Sequence, residues 1–169
     1  VDVTDAELDN TAYLAAEKQY LDTNTDAAIR QFNKYLNEFP NGIHALKSHF
    51  YLAELYYKKQ LPDNAQPHYD YVVKKQRSEF TEQSIVKLSE IYLNKSNWDS
   101  AIPLLKRLES EADYPQNMTY AQSNLMNAYY QKEAYAEAVT YAEKVLQNSK
   151  IDTKVKSDAQ IIIARSAIK

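Results

Sequence analysis

The sequence predicts an all-α protein built from stacked helical hairpins, and three observations predict it. A small residue followed four positions later by a usually larger apolar one recurs as Ala28–Phe32, Ala65–Tyr69, Ala101–Leu105 and Ala138–Ala142, at intervals of 37, 36 and 37 residues. Nine residues ahead of the last three alanines stands the tyrosine of a second motif: Leu52-Ala53-x-x-Tyr56, Leu88-Ser89-x-x-Tyr92 and Leu125-Met126-x-x-Tyr129. Glycine occurs once, at Gly42, which leaves little room for tight β-hairpins or for glycine-lined phosphate loops.

Each motif has a physical reading. Leucine, small residue and tyrosine at i, i+1 and i+4 fall on one helical face, and so do small and large residues at i and i+4. The small residue lets a second helix approach closely while its larger neighbour fills the groove beside it. Two such helices per period make a hairpin that buries its apolar face only against the hairpins next to it.

The elements follow in order. A first helix is expected over 5–22, opened by Thr4 with Glu7 in capping-box spacing. A second is expected over 25–38, opened by Thr25-Asp26 and ended ahead of Pro40. The third and fourth are placed at 42–60 and 63–76, and the fifth and sixth at 79–95 and 98–112, the sixth following Asn97. Pro67 and Pro103 each lie two residues after the repeat alanine, just inside their helices, where few backbone bonds are lost. A break at Pro115 precedes helices at 116–132 and 135–148, and Asp152 opens the last at 153–168. The whole chain, 1–169, is expected to form a single repeat domain, with repeats at about 9–41, 42–78, 79–114 and 115–150 and a terminal helix at 152–169.

These residues resemble the tetratricopeptide repeat (TPR), whose period is about 34 residues. The chain departs from that pattern in its longer period, in lacking the usual early Trp, and in placing Ala53, Ser89 or Met126 where the family has Gly. The resemblance implies a right-handed α-α superhelix, a solenoid of about four TPR-like hairpins plus a final helix. It implies a non-catalytic scaffold that binds a partner protein or extended peptide in a concave groove. Within the superfamily, Phe39-Pro40-Asn41 followed by Tyr51-Leu52-Ala53-Glu54-Leu55-Tyr56-Tyr57 looks like bacterial cell-envelope proteins of the BamD and YbgF types. That likeness implies a periplasmic or outer-membrane-associated location, with the cytoplasm as the alternative.

Carrying the family's groove positions onto this chain gives Asn10, Tyr13, Glu17 and Tyr20 in the first repeat, and Lys47, Phe50, Glu54, Tyr57 and Lys58 in the second. The third repeat gives Gln83, Val86, Glu90 and Asn94, and the fourth Tyr120, Ser123, Asn127, Tyr130 and Gln131. Glu17, Glu54 and Glu90 occupy equivalent places. Tyr13, Phe50, Tyr57, Tyr120 and Tyr130 lie between them, and tyrosine offers broad contact area at low entropy cost. The family's carboxylate-clamp members take acidic C-terminal tails through Asn and basic residues at such positions. Glu54 and Glu90 would repel such a tail, so the expected partner is a basic or apolar segment, or a folded partner's helix. A row of helix glutamates also fits a merely solvated face. Tyr56, Tyr92 and Tyr129 are expected to pack between helices.

Composition narrows the rest. The 169 residues carry a net charge of −3 with acidic and basic residues intermixed, so neither a basic nucleic-acid stripe nor a cationic membrane-surface helix is expected. The longest apolar run, Ile161 to Ala164, is too short to cross a membrane. Cysteine is absent, which removes disulfides, thiolate catalysis and cysteine-rich zinc sites. His44, His49 and His68 match no HExxH pattern, so packing or surface roles are expected and no metal site. No GxSxG or Walker motif occurs, and no motif places a carboxylate for acid–base work. No catalytic residue and no cofactor is therefore expected. Ile161, Ile162, Ile163 and Ile168 cover more than one face of the last helix, where a terminal repeat normally turns a polar side outward. Further repeats, or self-association through this helix, would cover them. A regulatory or oligomerisation segment of a larger multidomain protein, and a glycan- or small-ligand-binding module, are the other readings the residues allow.

Overall fold

The computed structural model describes residues 4–169. Its helices are α1 (Asp5–Leu21), α2 (Thr25–Glu38), α3 (Ala45–Lys58), α4 (Pro62–Lys74), α5 (Thr81–Asn94), α6 (Trp98–Glu111), α7 (Pro115–Gln131), α8 (Tyr135–Leu146) and α9 (Thr153–Ser166). No strand occurs among the described residues. The architecture is the expected all-α array of TPR-like helical hairpins.

The caps follow sequence chemistry where a side chain reaches the backbone. Thr4 and Glu7 form the reciprocal capping box of α1. The Asn97 side chain accepts from the Ser100 amide, and Asp152 accepts from that of Lys154. The cap of α2 is Asn24 rather than Thr25, and its side chain makes no capping bond. Pro115 is the first residue of α7 rather than a break before it, since its missing N–H is no loss there. α3 begins at Ala45, later than expected, because residues 42–44 form a turn in which the Ala45 amide donates to the Gly42 carbonyl at 3.1 Å.

The chain divides into two compact units, Val1–Ser84 and Ile85–Lys169. In the first, α1 pairs with α2 and α3 with α4; in the second, α7 packs against both α6 and α8, and α8 against α9. The core of the first unit gathers Tyr13, Ala16, Ala28, Phe32, Tyr35, Leu52 and Leu55. That of the second is centred on Ala101, Leu105, Leu125, Met126, Ala138, Ala142 and Val145, with Ile162 of α9 joining it. All four repeat alanines, Ala28, Ala65, Ala101 and Ala138, are fully buried, as a close helix crossing requires.

The turns within the hairpins repeat the same backbone conformation and bonds. Thr23, Gln60, Ser96 and Glu133 each adopt a left-handed backbone, with φ of 58°, 63°, 55° and 61°. In each turn the following amide reaches back to close the preceding helix: Asn24 to the Gln19 carbonyl, Leu61 to Tyr56, Asn97 to Tyr92 and Ala134 to Tyr129, all at 2.9 Å. This is the helix-ending arrangement in which glycine is favoured, yet none of the four is glycine. A side chain in that conformation costs about 1 kcal/mol. Gln60→Gly is therefore expected to raise the stability of the first unit by about 0.5–1 kcal/mol, a result chemical denaturation will show. An unchanged or lower midpoint contradicts it.

An ion pair also recurs across the joints. Lys59 meets Asp26 at 2.5 Å in the first unit, and Lys132 meets Asp99 at the matching place in the second. The Lys59 ammonium holds the Asp26 carboxyl below the usual carboxylate range. Exposed pairs of this kind fix register more than they add stability.

Candidate functional site

In the first unit the expected binding residues come from α1 and α3. Glu17 and Glu54 are half-buried and each accepts a tyrosine hydroxyl, Glu17 from Tyr13 at 2.8 Å and Glu54 from Tyr69 at 2.6 Å. A hydroxyl is a neutral donor, so it orients each carboxylate without cancelling its charge. Tyr57 lies edge-on to Tyr69 with ring centres 6.4 Å apart, and Lys58 is exposed on the last turn of α3.

Tyr13 corrects the sequence reading. It is only 2% exposed and cannot present its ring to a partner. Phe32 and Tyr35 flank it at 6.3 and 5.9 Å, and His44 stacks on it at 4.0 Å. The connection between α2 and α3 folds over this end of α1, and Lys47 lies above the ring at 5.7 Å. Burial, reinforced by Glu17, pushes the Tyr13 phenol well above its ordinary value. Phe50 also spends much of its ring inside the unit, stacked on Phe80 at 4.7 Å.

In the second unit the expected residues lie on α5 and α7. Glu90 is half-buried, whereas Asn94 and Asn127 are exposed. Tyr130 is half-buried and packs edge-on against Tyr135 at 5.7 Å. Tyr120 is half-buried too, and burial raises its phenol. An acidic centre that the sequence reading missed sits beside α7: Glu109 of α6 accepts from Gln122 at 3.0 Å and from Lys144 at 3.3 Å, with the Tyr141 hydroxyl at 3.4 Å. Burial, with the Glu109 charge next, pushes the Tyr141 phenol up to about 12.

Two further clusters were missed. The Asp9 carboxylate is buried and accepts the Tyr35 hydroxyl at 2.5 Å and the Ile43 amide at 2.9 Å, while the Tyr35 oxygen accepts the His44 amide at 2.9 Å. Its signal was an acid on the same α1 face as Tyr13 and Ala16. The second cluster is His49 with His68, whose Nδ1 atoms lie 2.8 Å apart between α3 and α4. His49 stacks on Tyr71 at 3.8 Å, and Tyr56 on His68 at 5.8 Å. Burial, the neighbouring His68 and Lys75 bring the His49 pKa down to about 4, and burial lowers that of His68. Nothing in a single chain marks residues 49 and 68 as partners before the hairpin register is known.

Two open hollows flank the α2–α3 connection. One, of about 520 Å³, is bordered by Ile43, Leu46, Tyr71, Lys75 and Arg77; the other, of about 400 Å³, by Asp5, Asp9, Phe39 and Pro40. Neither is lined by an expected binding residue. Among the described residues no group of three or more His, Cys, Asp or Glu side chains could hold a metal ion, and no helix is long and apolar enough to cross a membrane.

Against solved structures, the chain is similar to two crystal structures of MamA. One is 16% identical with a TM-score of 0.68 over 96% of this chain and 87% of that one, the other 15% identical with a TM-score of 0.68 over 99% and 88%. It is also similar to a Podosopora anserina kinesin light chain structure described by its nearly identical TPR-like repeats, at 17% identity and a TM-score of 0.57 over 98% and 87%. No protein-family model and no curated protein matches the chain. The likeness establishes the fold.

Proposed function

We propose that this chain is a non-catalytic scaffold that binds another protein, and that the outward faces of the first helices of its hairpins take a basic or apolar extended segment or helix. The observation that carries this reading is the pair of carboxylates at equivalent places on α1 and α3. Glu17 and Glu54 are each oriented by a tyrosine hydroxyl. Orienting a carboxylate with a neutral donor leaves it ready to meet a cation, and a half-buried setting strengthens that meeting. The fold shared with MamA and the kinesin light chain is compatible with such a role but does not name a partner. The cell-envelope location rests only on the likeness of residues 39–41 and 51–57 to the BamD and YbgF types, and cell fractionation tests it.

Calorimetric titration with length-matched peptides tests the binding reading. A Lys- and Leu-rich peptide is expected to bind about tenfold or more tightly than one ending in acidic residues, a difference of about 1.4 kcal/mol. Glu17→Lys with Glu54→Lys is expected to reverse that order. Tight binding of the acidic peptide, weakened by Glu54→Lys, would contradict the reading.

A further inference from the structure

α1 and α9 each expose a row of residues at heptad spacing, and the two rows match. On α1 the row is Glu7, Leu14 and Leu21; on α9 it is Lys154, Ile161 and Ile168, the last just past the helix end. Leu14 is 48% exposed and Leu21 68%, and Ile161 is 45% exposed and Ile168 82%. Residues seven apart lie nearly in line along a helix, so each row is a narrow apolar ridge with a charge at its N-terminal end. The charges are opposite. Glu7 closes the capping box with Thr4, and Lys154 makes only an exposed pair with Asp158 at 3.3 Å. The balance of charge on the two helices has the same sense: Asp5, Glu7 and Glu17 outnumber Lys18 on α1, whereas Lys154, Lys156 and Arg165 outnumber Asp158 on α9.

We infer that α9 of one copy docks in parallel along α1 of a second copy, setting Lys154 against Glu7, Ile161 against Leu14 and Ile168 against Leu21. The occupant of each ridge is thus this same chain, chosen by charge and by matching spacing. Pairing α9 with a second α9 would set like charges together if parallel and would set Lys154 against Ile168 if antiparallel, and α1 with α1 fares the same. The contact is head-to-tail, so each copy keeps one unused ridge and association does not stop at a dimer unless a ring closes. Glu17 neighbours Leu14 and Leu21 on α1, so a docked α9 would also cover part of the proposed binding face.

Sedimentation and light scattering on the whole chain test it. The wild-type mass is expected to grow with concentration past a dimer, and association is expected to weaken as salt screens the end charges. Leu14→Lys and Ile161→Lys are each expected to weaken self-association about tenfold or more, since each removes a buried apolar contact. Mixed one to one, the two variants are expected to form a heterodimer and nothing larger, because each retains the ridge the other lacks. Circular dichroism confirms folding, and Leu21→Lys with Ile168→Lys repeats the test if either first variant fails to fold. A wild-type chain that stays monomeric at millimolar concentration overturns the inference. So does a Leu14→Lys variant that dimerises as well as wild type, or a mixture that stays monomeric.

Discussion

Asp9→Ala is expected to lower the stability of the first unit by about 3 kcal/mol, because it leaves buried donors without an acceptor. The Tyr35 hydroxyl and the Ile43 amide both donate to this carboxylate, and the Tyr35 oxygen in turn accepts the His44 amide. Asp9→Asn is expected to restore little, since both partners are donors and an amide offers one accepting atom in place of two. The sole glycine completes the clasp. A Cβ at Gly42 would stand 2.4 Å from the Tyr35 hydroxyl oxygen, 2.6 Å from the Asp9 Oδ2 and 2.9 Å from the Phe39 Cβ. Gly42→Ala must push the clasp apart, and its cost is expected to be non-additive with Asp9→Ala, because both damage one network. Urea denaturation of the two single variants and the double variant checks this. A loss below about 1 kcal/mol for Asp9→Ala would mean that the clasp is incidental.

The second large effect is a loss of stability on mild acidification, centred on His49 and His68. The folded His49 pKa, about 4, lies below the ordinary histidine value of 6.5, so below pH 6.5 the unfolded chain binds the proton more readily. The favourable contribution is complete above pH 6.5, falls as the pH drops toward 4, and changes no further below that. The full shift corresponds to about 3.4 kcal/mol, and solvent screening of this partly exposed ring reduces the expected loss to about 2 kcal/mol across that window. Geometry gives the same direction: two Nδ1 atoms at 2.8 Å share one proton and cannot both be protonated. His49→Phe keeps a ring on Tyr71 and removes the titration. Its pH–stability curve between 7 and 4.5 is expected to be flatter than that of wild type, and two parallel curves would contradict the assignment.

The helices were legible because their signals are local. Small residues every 36 or 37 positions, a capping box at Thr4 and a capping Asn97 each speak of their own turn of chain. The left-handed turn residues were not legible, since Thr23, Gln60, Ser96 and Glu133 share no residue type and none is glycine. There the backbone bonds to the end of the preceding helix set the conformation, and the side chain tolerates it. The candidate site was legible in part. Glu17 and Glu54 occupy equivalent places, but the tyrosine that orients Glu54 comes from α4, which sequence position does not reveal. Tyr13 was misread because the connection after each hairpin covers this place, His44 stacking on Tyr13 as Phe80 stacks on Phe50. The Asp9 bond to the Ile43 amide closes the first connection more tightly over α1.

The central claim is that a partner segment meets this chain on the first helices of its hairpins, drawn by carboxylates that tyrosines hold in place. Mapping amide shift changes by nuclear magnetic resonance, as the Lys- and Leu-rich peptide is added to saturation, tests it most directly. The account predicts changes clustered at Glu17, Lys47, Glu54 and Tyr57, with Arg30 of α2 and Asn64 of α4 unmoved. Changes centred on Arg30 and Asn64, or a spectrum unaltered at saturating peptide, would contradict it.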